Sequence, residues 1–307
     1  MKSHVIALAG GVGGARLSYG LAQCLSADDL TVIVNTADDF EHLGLTICPD
    51  LDTVMYTLAS LNDPVQGWGV RGDTRHLMQA LTRLDGEDWF VLGDQDVATH
   101  LLRTEQLKGH TLSQVTTALC GKLGIRIAVV PMSDQSVRTQ VETEQGRLAF
   151  QDYFVRRRCE PVLKGVTFEG IEVARPSDGF LGALQNPKLA AIVVCPSNPM
   201  LSIEPILSLP GVRERLRARS VPLIAVSPFI GGQAVKGPAA KMFRELGLPV
   251  TSSGLVDYYQ GLLDAVVIDR ADEPPTGVKV LATDTLMRDS ADQARLAREV
   301  LQFAQTL

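Results

Sequence analysis

Apolar residues fall along the chain in short runs that end in glycine, asparagine, serine or proline. The first run, residues 5–9, closes on Gly10-Gly11-Val12-Gly13-Gly14. Residues 15–25 then read as a helix, and residues 30–35 (LTVIVN) as a second buried strand rich in β-branched side chains. Strand, glycine turn, helix and strand make a βαβ unit, whose crossover predicts a parallel sheet. Further along, residues 52–60 read as a helix, 89–92 as a third strand, 111–123 as an amphipathic helix and 126–131 as a strand. Residues 136–150 alternate polar and apolar about a turn near Gln145-Gly146, the pattern of a hairpin with one wet face. The earlier rhythm resumes with strands at 190–195, 221–226 and 265–268, a helix closing at 241–246 and a last helix at 291–304. The expectation is an α/β fold. A Rossmann-like, mostly parallel sheet forms a nucleotide-binding core from residues 1–134 and 181–307, and residues 135–180 form an inserted α+β substrate region.

In an open α/β sheet, ligands sit outside the carboxyl ends of the strands. Five such ends carry Gly, Asp, Asn, Ser or Pro here: residues 10–14, 35–39, 93–96, 196–199 and 227–232. The glycine turn lets backbone amides approach phosphate oxygens, and the helix behind it adds its positive dipole end. It is not a full dinucleotide fingerprint, because the third glycine of G-x-G-x-x-G falls on Arg16, and no Gly-Lys-Ser/Thr follows as in a P-loop. Arg16 is itself a candidate partner for phosphate.

Composition narrows the partners. The 307 residues are 45% hydrophobic and 21% charged, with a formal net charge of −6, which argues against nucleic acid or an anionic membrane as the main partner. The five cysteines are scattered and never form a Cys-x-x-Cys pair. They read as reduced thiols of a cytoplasmic protein. The start of the chain lacks the apolar stretch of a signal peptide, and no segment is apolar enough to span a bilayer.

Several stretches carry chemistry. Asp38 and Asp39 close the second strand, where acids hold a ribose or share Mg²⁺ with a diphosphate. In Cys48-Pro49-Asp50-Leu51-Asp52-Thr53, Asp50 or Asp52 either caps the next helix or acts as a proton acceptor or metal ligand. Arg71, in Trp68-Gly69-Val70-Arg71-Gly72-Asp73-Thr74, is a candidate anion contact, with Asp94 and Asp96 beside it. Ser197-Asn198, Gly231-Gly232 and Lys236 lie on the later loops, where Asn and Ser suit a base or phosphate edge and Lys236 a diphosphate. The same residue types also make plain turns. His42, His76, His100 and His110 lack metal spacing, and Arg156-Arg157-Arg158 reads as a solvated face.

Six stretches in order, AGGVGGAR, VNTADDFEHLGLTICPDLDTVMY, WGVRGDT, LGDQDVATH, CPSNP and SPFIGGQAVKGPA, resemble the 2-phospho-L-lactate transferase family of deazaflavin coenzyme F-420 biosynthesis. The resemblance runs over nearly the whole chain. It implies a Rossmann-like homodimer that requires Mg²⁺. The ribityl hydroxyl of 7,8-didemethyl-8-hydroxy-5-deazariboflavin (FO) attacks a guanosine diphosphate-linked phospho-acid, and GMP leaves. By the resemblance Asp50 is the FO-contacting aspartate, Gly10, Gly11, Gly13, Gly14, Ser197 and Asn198 lie on the GDP-contacting loops, and Asp39 joins Asp50 as a candidate metal ligand. Many relatives read Gly-Asp-Arg-Asp where this chain has Gln95. The glycine turn is then expected to hold the leaving group, with the chemistry across the cleft near Asp50. Two rivals remain: a non-catalytic nucleotide-sugar-binding regulator of the same fold, and an NAD-dependent dehydrogenase, against which the missing third glycine weighs.

Overall fold

In the computed structural model, which describes residues 3–307, seven parallel strands form one central sheet. In chain order they are β1 (His4–Ala9), β2 (Leu30–Val34), β3 (Ala128–Pro131), β4 (Leu189–Val194), β5 (Leu223–Val226), β6 (Ala265–Asp269) and β7 (Lys279–Thr283). Their spatial order is 7-6-5-4-1-2-3. The sheet therefore grows outward in both directions from β1 and β4. The crevice between those two, at their carboxyl ends, is the topological switch point where a doubly wound sheet binds ligand.

Both faces of the sheet are covered, so its inner strands are apolar at nearly every position, His4, Thr31 and Asp269 being the exceptions. Val5, Ala7 and Ala9 of β1 enter one core with Leu17 and Leu21 of the first helix and Leu296 and Val300 of the last. Ile6 and Leu8 enter the opposite core with Val141, Phe150, Tyr153 and Phe180. The second core is shared with the inserted region. There Arg138–Thr143 pairs antiparallel with both Gly146–Ala149 and Leu163–Glu169 to make a three-stranded sheet. The insertion is thus continuous with the main hydrophobic core.

Two sequence expectations fail in instructive ways. Residues 89–92 form no strand. Trp89 and Phe90 pack edge-to-face or tilted against Phe40 and His42, and Leu92 packs with Ile47 and Met78 in a satellite cluster, so that apolar run serves side-chain packing rather than a sheet ladder. Gly93-Asp94-Gln95-Asp96 accordingly opens a helix, Asp94–Gln106, instead of closing a strand. Edge strand β7 carries no strand signal in the sequence, because only one of its five positions is fully buried and its apolar residues make no clear run.

Candidate active site

The glycine turn lies at the switch point. Gly11 has φ +60°, a left-handed conformation that favours glycine, and the helix Gly11–Cys24 starts from it. A side chain at Gly13 would begin 2.1 Å from the Pro196 carbonyl oxygen beyond β4, and Gly14 is pressed against Ser197 in the same way. These glycines let two loops interleave. Gly10 N–H donates to Ser197 Oγ at 3.1 Å, which closes the contact.

A cavity of about 660 Å³ opens over this turn. That size suits a small-molecule site. Gly10, Gly11, Gly13, Asp50, Ser197 and Asn198 all line it, whereas Gly14, Asp39, Arg71, Asp94, Gly231 and Gly232 do not. Asp50 does not lie across the cleft from the turn, as expected above. It sits in the first turn of the helix Pro49–Leu58, and its Oδ1 accepts the Gly11 N–H at 2.7 Å. Its Oδ2 accepts from Asn35 Nδ2 at 3.0 Å, and that amide also reaches Asp38 Oδ2 at 3.1 Å. Burial pushes the Asp50 carboxyl up to about 6. Asp38 is pushed well above the usual carboxylate range by burial and by the neighbouring Asp50. Thr139 Oγ1, from the insertion, donates to Asp38 Oδ1 at 2.8 Å.

Asp39 takes a different place. It is buried and does not line the cavity, its Oδ1 has no partner, and burial lifts its carboxyl to about 8. Of the two adjacent acids, Asp38 is the one on the cavity wall, so position on a strand end did not tell which would face the site. Asn198 lines the cavity, but its Oδ1 is engaged in capping Met200 N–H and Leu201 N–H at 3.0 and 3.3 Å.

Arg71 and Asp94 lie outside this cavity, and Arg71 is exposed. Asp94 accepts the backbone N–H groups of His76 and Leu77, each at 3.0 Å, and so caps the helix His76–Arg83. Asp73 returns the favour, accepting Gln95 N–H at 2.8 Å and Asp96 N–H at 3.0 Å at the start of Asp94–Gln106. The two motifs clasp each other by crossed caps. Gly231 and Gly232, at φ +59° and +72°, form the tight turn between Phe229–Ile230 and Gln233–Ala234. They stay off the cavity themselves, while the arm behind them carries Val235 and Lys236 onto it.

A second polar group on the wall joins Asp52, Asp96 and His100, each offering a ligand atom within 4.8 Å of the others. His100 is therefore more than an isolated core histidine, and its link to Asp96 is the i,i+4 spacing of one helix face. Arg103 pairs with Asp52 through its two terminal guanidinium nitrogens, and Tyr56 Oη donates to Asp96 Oδ1 at 2.6 Å. Burial acts to raise the Asp96 carboxyl, but His100 and Tyr56 outweigh it and hold it below the usual range. Aromatic side chains complete the wall: Trp68, Phe90, Phe150 and Phe154. The last two come from the insertion and carried no signal in the sequence. The arginine run is held locally, with Arg156 lying 4.5 Å over the Trp89 ring and Arg157 on Asp152 at 2.9 Å.

Against known proteins, residues 5–306 match the family model described as 2-phospho-L-lactate transferase CofD. The chain belongs to the 2-phospho-L-lactate transferase family. It is therefore read as an enzyme, a transferase. A 2-phospho-L-lactate transferase of Methanosarcina acetivorans is 40% identical, over 99% of this chain and all of that one. A phosphoenolpyruvate transferase of Streptomyces coelicolor is 39% identical, over 98% of each. A UPF0052-family protein of Bacillus halodurans shares the fold, with a TM-score of 0.63 at 17% identity over 98% of this chain and 99% of that one. Among the described residues no helix is long and apolar enough to cross a membrane.

Proposed function

We propose that this enzyme moves a phospholactyl-type group, whether phospholactyl, phosphoenolpyruvyl or phosphoglyceryl, from a guanosine diphosphate-linked donor to the ribityl hydroxyl of FO. GMP is released, in coenzyme F-420 biosynthesis. The observation that carries the reading is Asp50: a buried carboxylate, lifted to about 6, hydrogen-bonded to the glycine turn inside a cavity at the switch point. A base poised near neutrality must lie within reach of the proton it takes. Held where a phosphate cradle begins, Asp50 is in place to accept the proton of a hydroxyl that attacks phosphorus. The helix start leaves the Val12 and Gly13 amides without intrahelical acceptors, free to receive phosphate oxygens. Attack on a diphosphate asks for positioning and charge neutralisation above covalent chemistry. The apolar walls of Trp68, Phe90, Phe150 and Phe154 suit a flat acceptor ring.

The residues present fit Mg²⁺. Asp38 and Asp50 are two buried carboxylates leaning on one Asn35 amide, an arrangement short of positive charge and rich in the hard oxygens that Mg²⁺ prefers. These two side chains would hold the ion, which when bound supplies charge against the transferring phosphate. Asp39 is the poorer ligand, because it does not reach the cavity. Cytoplasmic location and a homodimer are part of the same proposal.

Incubation of the enzyme with FO, Mg²⁺ and each of the three donors, followed by product mass, tests the reading. One donor should yield a phosphodiester of FO with GMP in equal amount. If none yields a deazaflavin product, the transferase reading falls. Tight binding of a nucleotide sugar without turnover of any donor would then favour the regulator.

A further inference from the structure

Of the residues that line the cavity only two carry a permanent positive charge, Arg16 and Lys236. They arrive from opposite sides. Arg16 stands in the second turn of the helix that the glycine turn opens, and Lys236 on the arm that follows the Gly231-Gly232 turn. Gly67 leaves room for Lys236 beside the turn: its missing β-carbon would lie 2.6 Å from Val12 Cγ1 and 3.3 Å from Lys236 Nζ. The ammonium is thereby set beside the glycine turn itself. Neither cation is matched to a carboxylate within ion-pair distance among the described residues. Lys236 Nζ donates to the Gln66 carbonyl at 2.7 Å and to that of Val65 at 3.4 Å. Arg16 Nη1 donates to the Met287 carbonyl at 2.9 Å. Carbonyl partners leave most of the guanidinium's five donors unused. Burial and the nearness of Arg16 lower the Lys236 ammonium from its ordinary value, against a smaller pull from Asp63. An anion bound between the two would relieve the repulsion that Arg16 exerts on the Lys236 ammonium.

Resting on the transferase reading, we propose that Arg16 and Lys236 form a clamp for the diphosphate of the donor, closing over it from the two sides of the glycine turn. The clamp complements the backbone cradle. Amides give the phosphates direction, and the two cations give charge, with Arg16 suited to bidentate contact and Lys236 acting as a point charge. The ligand class is a nucleoside diphosphate ester, and a lone nucleoside should gain nothing from it. Both residues position the donor and take no proton.

The test is calorimetric titration of wild type, Arg16→Gln, Lys236→Met, Lys236→Arg and the double variant Arg16→Gln/Lys236→Met. The probes are GDP, inorganic pyrophosphate and guanosine, with donor KM and kcat measured alongside. The expected result is a loss of GDP and pyrophosphate affinity of about 10- to 100-fold in each neutral variant, the scale of losing a hydrogen bond to a charged group. Guanosine binding should hold, donor KM should rise more than kcat falls, and Lys236→Arg should recover most of the loss. GDP affinity within twofold of wild type in the double variant overturns the clamp. So does an equal fall for GDP and guanosine, which would make Lys236 merely a tie between loops through Gln66. Wild type that binds pyrophosphate yet turns over no donor overturns the transferase reading and leaves the clamp standing.

Discussion

Asp50 and Asp94 look alike in the sequence. Each stands in the first turn of a helix, after a Cys-Pro in one case and a Leu-Gly in the other. In the structure they do opposite things. Asp94 is partly exposed and turns to the backbone of a neighbouring helix, and Thr74 together with the Leu77 and His76 amides holds its carboxyl below the usual range. Asp50 is buried at the meeting of β1, β4 and the cavity, and burial raises it. A carboxylate lowered by many donors is serving the fold. One raised by burial costs the fold something and is kept for what it can do there. The difference lies in the surroundings, which come from segments far away in the chain.

The largest expected effect is on Asp50. Asp50→Asn keeps the shape and the Gly11 contact but removes the proton acceptor. Turnover should fall by about 10²- to 10⁴-fold, the usual reach of general base catalysis. Circular dichroism should be unchanged, and the melting temperature at pH 7.5 should equal or exceed that of wild type. The sign follows from linkage. A carboxyl raised in the folded state holds its proton more tightly there than in the unfolded chain. Its charge therefore opposes folding increasingly as pH rises from about 4 to about 6, and the amide removes that cost. Near-normal turnover in the variant would take the base role from Asp50.

The second effect is on pH dependence. If Asp50 must be ionised, kcat should drop tenfold per unit below a limb near 6. Mg²⁺ at Asp38 and Asp50 would lower that limb, because a bound cation favours the ionised form. Profiles taken at limiting and saturating Mg²⁺ separate the two. A limb below 4 at both metal concentrations would place the titrating group elsewhere.

These contrasts also show how far the sequence could be read. The run 5–9, the glycine turn and LTVIVN specify a βαβ unit by local pattern alone, and both the sheet and the switch point follow from it. Ser197 was legible because loops at strand ends converge there. Residues 89–92 misled because a short apolar run looks the same whether it joins a sheet or an aromatic cluster. The role of Asp94 was hidden because its partners lie 17 to 20 residues upstream, at the start of another helix and in the loop before it. The choice between Asp38 and Asp39 depended on Thr139, 101 residues from Asp38 in the insertion. His100 could have been suspected: once residues 94–106 are read as a helix, Asp96 and His100 share a face at i,i+4.

The smallest effect, and the sharpest check on the comparison, is at Asp94. Asp94→Ala removes the acceptor for two amides at the start of His76–Arg83 and for the Thr74 hydroxyl. Loss of one helix cap should lower the melting temperature by about 2–4 °C at pH 7. Because this carboxyl is lowered by folding, its contribution is present above about pH 4 and fades as pH falls through its depressed value. The gap in melting temperature between wild type and variant should therefore close on acidification. For Asp50→Asn the difference runs the other way and grows as pH rises. Turnover of Asp94→Ala should stay within a few-fold of wild type, since the crossed cap from Asp73 still fixes the start of the helix that carries Asp96 and His100. A hundredfold loss of turnover with an unchanged melting temperature would reverse the assignment. Asp94 would then be a group that meets substrate, and the contrast with Asp50 would collapse.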